Sequence, residues 1–562
     1  MSHVSKKVIA VGFGTHHNGA KLVKDALSRS AEVYFVDRPR DQSEFAAAHA
    51  LILSPSFDFE SKKYFEIISN CVRAGANLFI LGLSHSGSSL WQELTGVTPV
   101  DCRPDGEWFF KTSASSPLTR RLPAEFAAVG ILTPYEVHDG AEALLATSIA
   151  FIDRTTAAVR RLPSATICTL GLNPTSEHVS QDLAAIVRRA VLSEGSRLGF
   201  EEGAELGIGI VGYGPYGGMG SYHAAAASDV TGMNLVAVVD QDPERRKAAE
   251  QEFPNVRTYS TVRELAQDDD VDICIVATPP VNHAEISMTL LDSKKHVISE
   301  KPMCLNLKEA NELISKAKAM DRMLSVNQNR RWDRDFRAIA KAVSDNKVGN
   351  LFNIETFVGG FEHPCRAWHS EESVSGGAIF DWGSHHIDWI TQLYGSTPAK
   401  VSMTQHKRVW HDVTNMDQIR VHMLWDDGRE AQFFQSDIAA IRKPKYFIQG
   451  TSGTIVGTYR PITEETVVPP FGFQEREYHY AEAPATLRLS RYESEAGLIE
   501  EPIPLEKPNK FAFHKNIVDH LLLGEPLAVD PESVAASIAI LEAAQYSSTT
   551  DSEYIAISEV KC

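Results

Sequence analysis

Three glycines, a lysine and an aspartate–histidine pair have the spacings in this chain that chemistry needs. Gly212, Gly214 and Gly217 stand in G-x-G-x-x-G spacing directly after an apolar run, 206–211. An Ala-rich helical stretch follows, and a second apolar run, 235–239, ends on Asp240. Gly212 permits a tight turn. Gly214 admits a pyrophosphate against bare backbone, with Tyr213 between the two, and Gly217 lets helix pack close to strand. The helix N-terminus offers unpaired N–H groups and a positive dipole end to the phosphates. Asp240, about twenty residues past the last glycine, is placed to hold the adenosine ribose hydroxyls of a dinucleotide. A glycine-rich turn in some other α/β unit shares the first part of this pattern.

Glu300-Lys301-Pro302 closes another apolar run, 297–299, at the edge where parallel sheets bind ligands. Pro302 biases Lys301 toward an extended conformation. An ammonium there can stabilise an alkoxide and hydrogen-bond a substrate hydroxyl, although the tripeptide alone also fits a solvated lysine after a strand. Asp381 and His385 are spaced i, i+4, so a helix puts them on one face. Histidine can take a hydroxyl proton near neutral pH, and a nearby carboxylate favours its protonated form. A buried helix with a satisfied histidine fits the same spacing. His386 falls one position round the helix and reads as structural. His283 follows the third strand of the same unit, close to where a nicotinamide should lie; a structural role fits it equally.

Such residues need a frame. Residues 1–192 alternate short apolar runs (8–11, 33–36, 50–53, 77–81, 167–170) with helix-like segments, which predicts a flavodoxin-like, doubly wound α/β domain. Residues 193–205 are Gly-, Ser- and Glu-rich and read as a linker. A Rossmann dinucleotide-binding domain is expected over 206–330, with a capping-box-like helix start at Asn306 and Glu309. Beyond about residue 345 the pattern turns to period-two strands (352–358, 401–407, 419–425, 430–435, 445–449), so 331–562 reads as an α+β domain on a largely antiparallel sheet. Two lures lie in the first domain. Gly12-Phe13-Gly14, with Asp37 ending the next strand, imitates the dinucleotide fingerprint, but His17 stands where the third glycine belongs. Gly82-Leu83-Ser84-His85-Ser86 imitates a nucleophile elbow without its closing glycine or a cysteine.

The runs THHNG, AGANLFILG and SATICTLGLNPTSEHVSQDLAAIVRRAVL in the first 190 residues resemble the ThuA-like branch of the glutamine-amidotransferase-like fold. The amidotransferase cysteine is missing, so that resemblance implies an accessory domain without that chemistry. Residues 205–560 resemble the Gfo/Idh/MocA oxidoreductases through GIVGYGPYG, VVDQDPERR, ATPPVNHAE, SEKPM, NRRW, SGGAIFDWGSHHIDW and FIQGTSGTI, in the family's order. The resemblance implies NAD, with NADP as an alternative, bound by the glycine turn, Asp240, Thr278, Pro279, His283, Glu300, Lys301 and Arg331. It implies a catalytic set of Lys301, Asp381 and His385, in which the family's D-x-G-x-H-x-x-D falls on Asp381, Gly383, His385 and Asp388. Arg366, Trp368 and His369, just before that helix, are candidates to line a substrate pocket. The activity implied is hydride transfer at a hydroxyl-bearing carbon of a sugar, inositol or sugar derivative, in a homo-oligomer. The rival readings are an NAD-dependent glycosidase that oxidises its substrate transiently, and a cofactor-binding sensor. Asp240 favours NAD, whereas Arg245 and Arg246 could each hold the 2′-phosphate of NADP.

Composition narrows the classes further. The chain has 562 residues, 43% of them hydrophobic and 23% charged, as in ordinary globular proteins of several domains. A net charge of −18 without a Lys/Arg run argues against nucleic-acid and anionic-membrane partners. The start of the chain lacks a signal-peptide pattern, and no apolar stretch is long enough for a bilayer span. Seven scattered cysteines without C-x-x-C pairs predict reduced thiols, a cytoplasmic setting and no metal site.

Overall fold

The apolar runs of the first 170 residues are the parallel centre of a twelve-stranded sheet in a computed structural model of the chain. The structure describes every residue except 1–5, 14–17, 28–30, 39–44, 46–47, 84–87, 101, 113–115, 120–121, 177–179, 193–204, 215–217, 366, 460–482, 524 and 561–562. Gly14, His17 and the Ser84–Ser86 stretch therefore lie outside the described residues, as do Gly217 and Arg366. The described chain divides into two units: Met1–Ala204 with Asn516–Pro526, and Glu205–Lys515 with Leu527–Cys562.

In the first unit the parallel strands run in the order Glu32–Val36, Lys7–Val11, Ala50–Leu53, Asn77–Leu81, Thr166–Leu170. Taken in chain order this is 2-1-3-4-5, the flavodoxin-like arrangement. The three strands from Ala50 onward are buried along almost their whole length, as strands covered on both faces must be. Helices Asn18–Leu27 and Gln181–Leu192 cover one face through Leu22, Val23, Val187 and Val191. Ile68, Val72 and Trp91 cover the other. The doubly wound expectation omits half of this sheet. Thr166–Leu170 also pairs antiparallel with Ile152–Arg161, and the sheet continues through Ala141–Ile149, Arg103–Thr112, Glu125–Leu132 and Leu172–Pro174. Glu125–Leu132 alternates exposed and buried positions, the signature of a strand with one wet face.

The second unit begins with six parallel strands in the order Arg257–Tyr259, Met233–Val239, Leu206–Val211, Ile273–Val276, His296–Ser299, Leu324–Val326. This 3-2-1-4-5-6 order reverses direction beside Leu206–Val211, and the crevice at that switch point is where dinucleotides bind. Helix Leu307–Ala319 starts where its sequence predicts: the Asn306 side chain accepts from the Glu309 N–H at 2.9 Å. A separate nine-stranded sheet follows, antiparallel except where Leu351–Gly359 lies beside Glu430–Ser436. Helices Gly383–Tyr394 and Pro531–Thr549 pack their apolar sides on it, burying Ile387, Ile390, Ile540 and Leu541 against Val401, Val421 and Phe433. Among the described residues no helix is long and apolar enough to cross a membrane.

Candidate active site

The dinucleotide edge is built by glycine geometry. Gly212 has φ +97°, and a Cβ there would lie 2.8 Å from the Ala277 carbonyl oxygen, so the turn is closed to other residues. Helix Met219–Asp229 starts immediately beyond. Its Gly220 makes a close helix–strand approach, since a Cβ there would drive into the Gly212 carbonyl oxygen. Asp240 is buried; its Oδ2 accepts from the Tyr213 N–H at 2.8 Å and its Oδ1 from the Asp242 N–H at 2.9 Å. Arg246 is tied to the carbonyls of Asp240 and Gln241. Arg245 lies 3.6 Å from the Asp240 carboxylate and closes over Gly214. Thr278 Oγ1 is buried at this edge without a hydrogen-bond partner among the described residues. A bare-backbone turn, a helix N-terminus, an aspartate at the end of the second strand and an orphaned hydroxyl together fit a nicotinamide dinucleotide.

Next to that edge a cavity of about 270 Å³ is lined by Met219, Ala277, Thr278, Pro280, Glu300, Lys301, Pro302, Asn329, Arg330, Trp368, His369, Ser375, Asp381, Trp382 and His385. Lys301 Nζ donates to Asp381 Oδ1 at 2.7 Å and to the Asp381 carbonyl at 3.2 Å. Burial works to raise the Asp381 carboxyl. The Lys301 ammonium and its hydrogen bond, with His369 and Arg330, outweigh that and hold it below the usual carboxylate value. His385 stands in the same cavity, and its Nδ1 is buried without a partner among the described residues. Burial first, then the Lys301, Arg330 and His386 charges, keep its ring well below the ordinary histidine value. The structure therefore corrects the expected Asp381–His385 pairing: the aspartate is engaged by Lys301, and the imidazole is held neutral. The helical run between them breaks at Trp382, where Ala378–Asp381 ends and Gly383–Tyr394 begins.

Residues 206–328 match the sequence family described as "Oxidoreductase family, NAD-binding Rossmann fold", and residues 336–456 match the "GFO/IDH/MocA C-terminal domain". These are Gfo/Idh/MocA oxidoreductase domains. The scyllo-inositol 2-dehydrogenase (NADP(+)) of Bacillus subtilis is 26% identical over 349 residues, 61% of this chain and 93% of that protein. The 1,5-anhydro-D-fructose reductase of Ensifer adhaerens is 25% identical over 56% of this chain and 90% of its own length. A solved NAD-binding protein from Listeria innocua superposes with a TM-score of 0.54 at 25% identity, covering 63% of this chain and 97% of its own.

Within these oxidoreductase domains the remaining candidates divide. Trp368 and His369 reach the cavity, their rings stacked with centroids 3.6 Å apart. Pro279 caps the turn Pro280–Asn282. His283 does not line the cavity: its buried ring lies between the carbonyls of Pro302 and Thr278, 2.7 Å from each, and can donate to one of them when neutral. Arg331 also stays outside it. Its guanidinium grips the buried Asp388 in a bidentate pair at 2.8 and 2.6 Å and donates to the Ala528 carbonyl, anchoring the helix that carries His385. The arginine at the cavity is its neighbour Arg330, which lies over the Trp382 ring at 4.9 Å and bonds Asp333. His386 stacks on Phe433 and packs against Trp389, as its structural reading requires. Sequence reasoning missed Arg330, one residue from the chosen arginine, and also His223 and Asn327, which both hydrogen-bond Glu300. A buried histidine in the Ala-rich run after the glycine turn was the available signal for His223.

Proposed function

We propose that this NAD(P)-dependent dehydrogenase acts on a hydroxyl-bearing carbon of a sugar, inositol or sugar derivative. The observation that carries the reading is the Lys301–Asp381 ion pair sharing one cavity with a neutral His385 at the carboxyl edge of the dinucleotide sheet. The nicotinamide, when bound, supplies the hydride acceptor or donor. Gly212, Gly214, Tyr213, Asp240 and Thr278 would hold the cofactor. The Lys301 ammonium, fixed by Asp381, hydrogen-bonds the reacting oxygen and offsets its developing negative charge. His385, its ring held neutral, takes the hydroxyl proton in oxidation and returns it in reduction. The paired Trp368 and His369 rings offer an apolar face to a sugar ring. A screen of sugars, inositols and their keto forms, following NADH and NADPH absorbance in both directions, tests the reading. Absence of net cofactor turnover on every member, with cofactor bound, rules it out.

Residues 1–192 we infer to be a ThuA-like accessory domain. The 2-1-3-4-5 parallel order supports the flavodoxin-like part of that reading, and the absent elbow cysteine argues against amidotransferase chemistry. Association into a homo-oligomer belongs to the same proposal and is read directly from the sedimentation of the purified chain.

A further inference from the structure

Glu300 precedes the lysine of the proposed mechanism and is itself an unusual group: a carboxylate buried at the base of the cavity. Burial opposes its charge, yet the hydrogen bonds from His223 and Asn327, with the Lys301 charge, hold it below the ordinary glutamate value. Its partners account for that. Oε1 accepts from His223 Nε2 at 2.9 Å and from Asn327 Nδ2 at 2.7 Å, and Oε2 accepts from the Lys301 backbone N–H at 3.1 Å. The chain continues inward. His223 Nδ1 lies 2.8 Å from His514 Nε2. Both rings are fully buried, boxed by Tyr222, Phe511 and Phe513.

The hydrogen-bond logic of this chain has one solution with neutral rings. Glu300 is an acceptor, so His223 donates from Nε2. Its Nδ1 must then accept, so His514 donates from Nε2. His514 Nδ1 is left as an acceptor, and it is buried without a partner among the described residues. An orphaned buried acceptor is costly, so a fold that keeps one has something to gain from the rest of the arrangement. What the arrangement achieves is a single fixed orientation for the Glu300 carboxylate, whose second oxygen holds the Lys301 amide. The Lys301 side chain is thus set from two directions, by Asp381 at its tip and by Glu300 at its backbone. The mechanism above uses neither histidine.

We propose that His223, oriented by His514, is a positioning residue for Lys301, acting through Glu300; the proposal rests on the reading of Lys301 as the group on the reacting oxygen. His223→Leu removes the donor to Glu300, and His223→Gln keeps one at the same reach. Losing a hydrogen bond to a charged group predicts a kcat about tenfold lower for His223→Leu, with sugar KM and calorimetric NAD affinity within about threefold of wild type. His223→Gln should recover most of that loss. A His223→Leu enzyme within about twofold of wild-type kcat, or a Gln variant no better than Leu, overturns the proposal. Should His223→Leu not fold, His514→Phe against His514→Gln makes the same comparison one bond further back. A second readout needs no turnover: labelling of Lys301 by an amine-reactive reagent in the full chain, followed by mass spectrometry. A change of about threefold in the Lys301 rate in His223→Leu but not in His223→Gln, other lysines being unaffected, supports the relay, and an unchanged rate refutes it. If wild type oxidises no sugar or polyol, the functional reading fails while the labelling still decides the relay.

Discussion

At the scale of single residues the proposed mechanism gives the proton and the oxygen different handlers. His385→Ala should lower turnover by about 10²–10⁴-fold while calorimetric NAD affinity stays near wild type. Lys301→Met should do similar damage and also raise KM, because in the proposed mechanism the ammonium binds the reacting oxygen. His386→Ala should leave the chemistry largely alone and lower the melting temperature, since its ring fills the space between Phe433 and Trp389. The pH dependence follows from the sign of the His385 shift. Burial, Lys301 and Arg330 disfavour the imidazolium, so the ring remains an available base below its ordinary value of 6.5. The acid limb of kcat/KM for oxidation should therefore fall below pH 6.5. Removing the Lys301 charge should move it upward, toward that value. An acid limb above pH 6.5 in the wild-type profile would assign the base elsewhere. For the cofactor, Arg246 is committed to backbone carbonyls, which leaves Arg245, lying between Asp240 and Gly214, to read the ribose 2′ position. Arg245→Ala should weaken NADP⁺ binding roughly tenfold and leave NAD⁺ within about threefold, measured by calorimetry.

At the scale of elements the helix that carries His385 is held by an ion pair outside the cavity. Arg331 and Asp388 are both buried, and their forked geometry satisfies two donors with two acceptors. Taking away the arginine leaves a charge in the interior, whose Asp388 carboxyl is already raised by burial despite Arg331. Arg331→Ala should cost about 3–5 kcal/mol in urea unfolding and loosen the helix under His385. Wild-type stability in that variant would mean that water or another cation takes the site. Helix Met219–Asp229 has a different dependence. Gly220 lets it sit on the Gly212 turn, so Gly220→Val should push the helix off the strand and abolish dinucleotide binding, although Gly220 lies outside the three-glycine pattern.

For the whole molecule the question is how many dinucleotide sites it has. The first unit has the 2-1-3-4-5 strand order, and the second has 3-2-1-4-5-6 with the full glycine pattern at its switch point. Among the described residues the second offers an aspartate, Asp240, that accepts from a backbone N–H of its glycine turn. Calorimetry on the full chain should give one NAD per chain, and Gly212→Val should abolish it by forcing a Cβ against the Ala277 carbonyl. Residual binding at one equivalent in Gly212→Val would place a second site in the first unit.

The sequence by itself determined the features that repeat over short distances. Short continuous apolar runs such as 206–211 and 273–276, bounded by turn residues, read as strands covered on both faces, and the glycine turn between strand and helix announces its ligand class. Period-two segments from 352 to 449 announced the second sheet for the same reason. Strands at 486–493 and 497–503 escaped because they lie in a polar stretch that resembles loop, and the antiparallel half of the first sheet escaped because its strands lack the continuous apolar runs of the parallel half. Tertiary structure alone decided the partners. Asp381 lies four residues from His385 in sequence, yet it bonds Lys301, 80 residues away. Arg330 and Arg331 are adjacent and similar in sequence, yet one faces the cavity and the other a buried aspartate. Glu300, His223 and His514 meet across 291 residues of chain. Periodicity fixes which face of an element is apolar, but which charge meets which is settled by the packing of whole elements, where the cost of an unpaired buried group selects among neighbours.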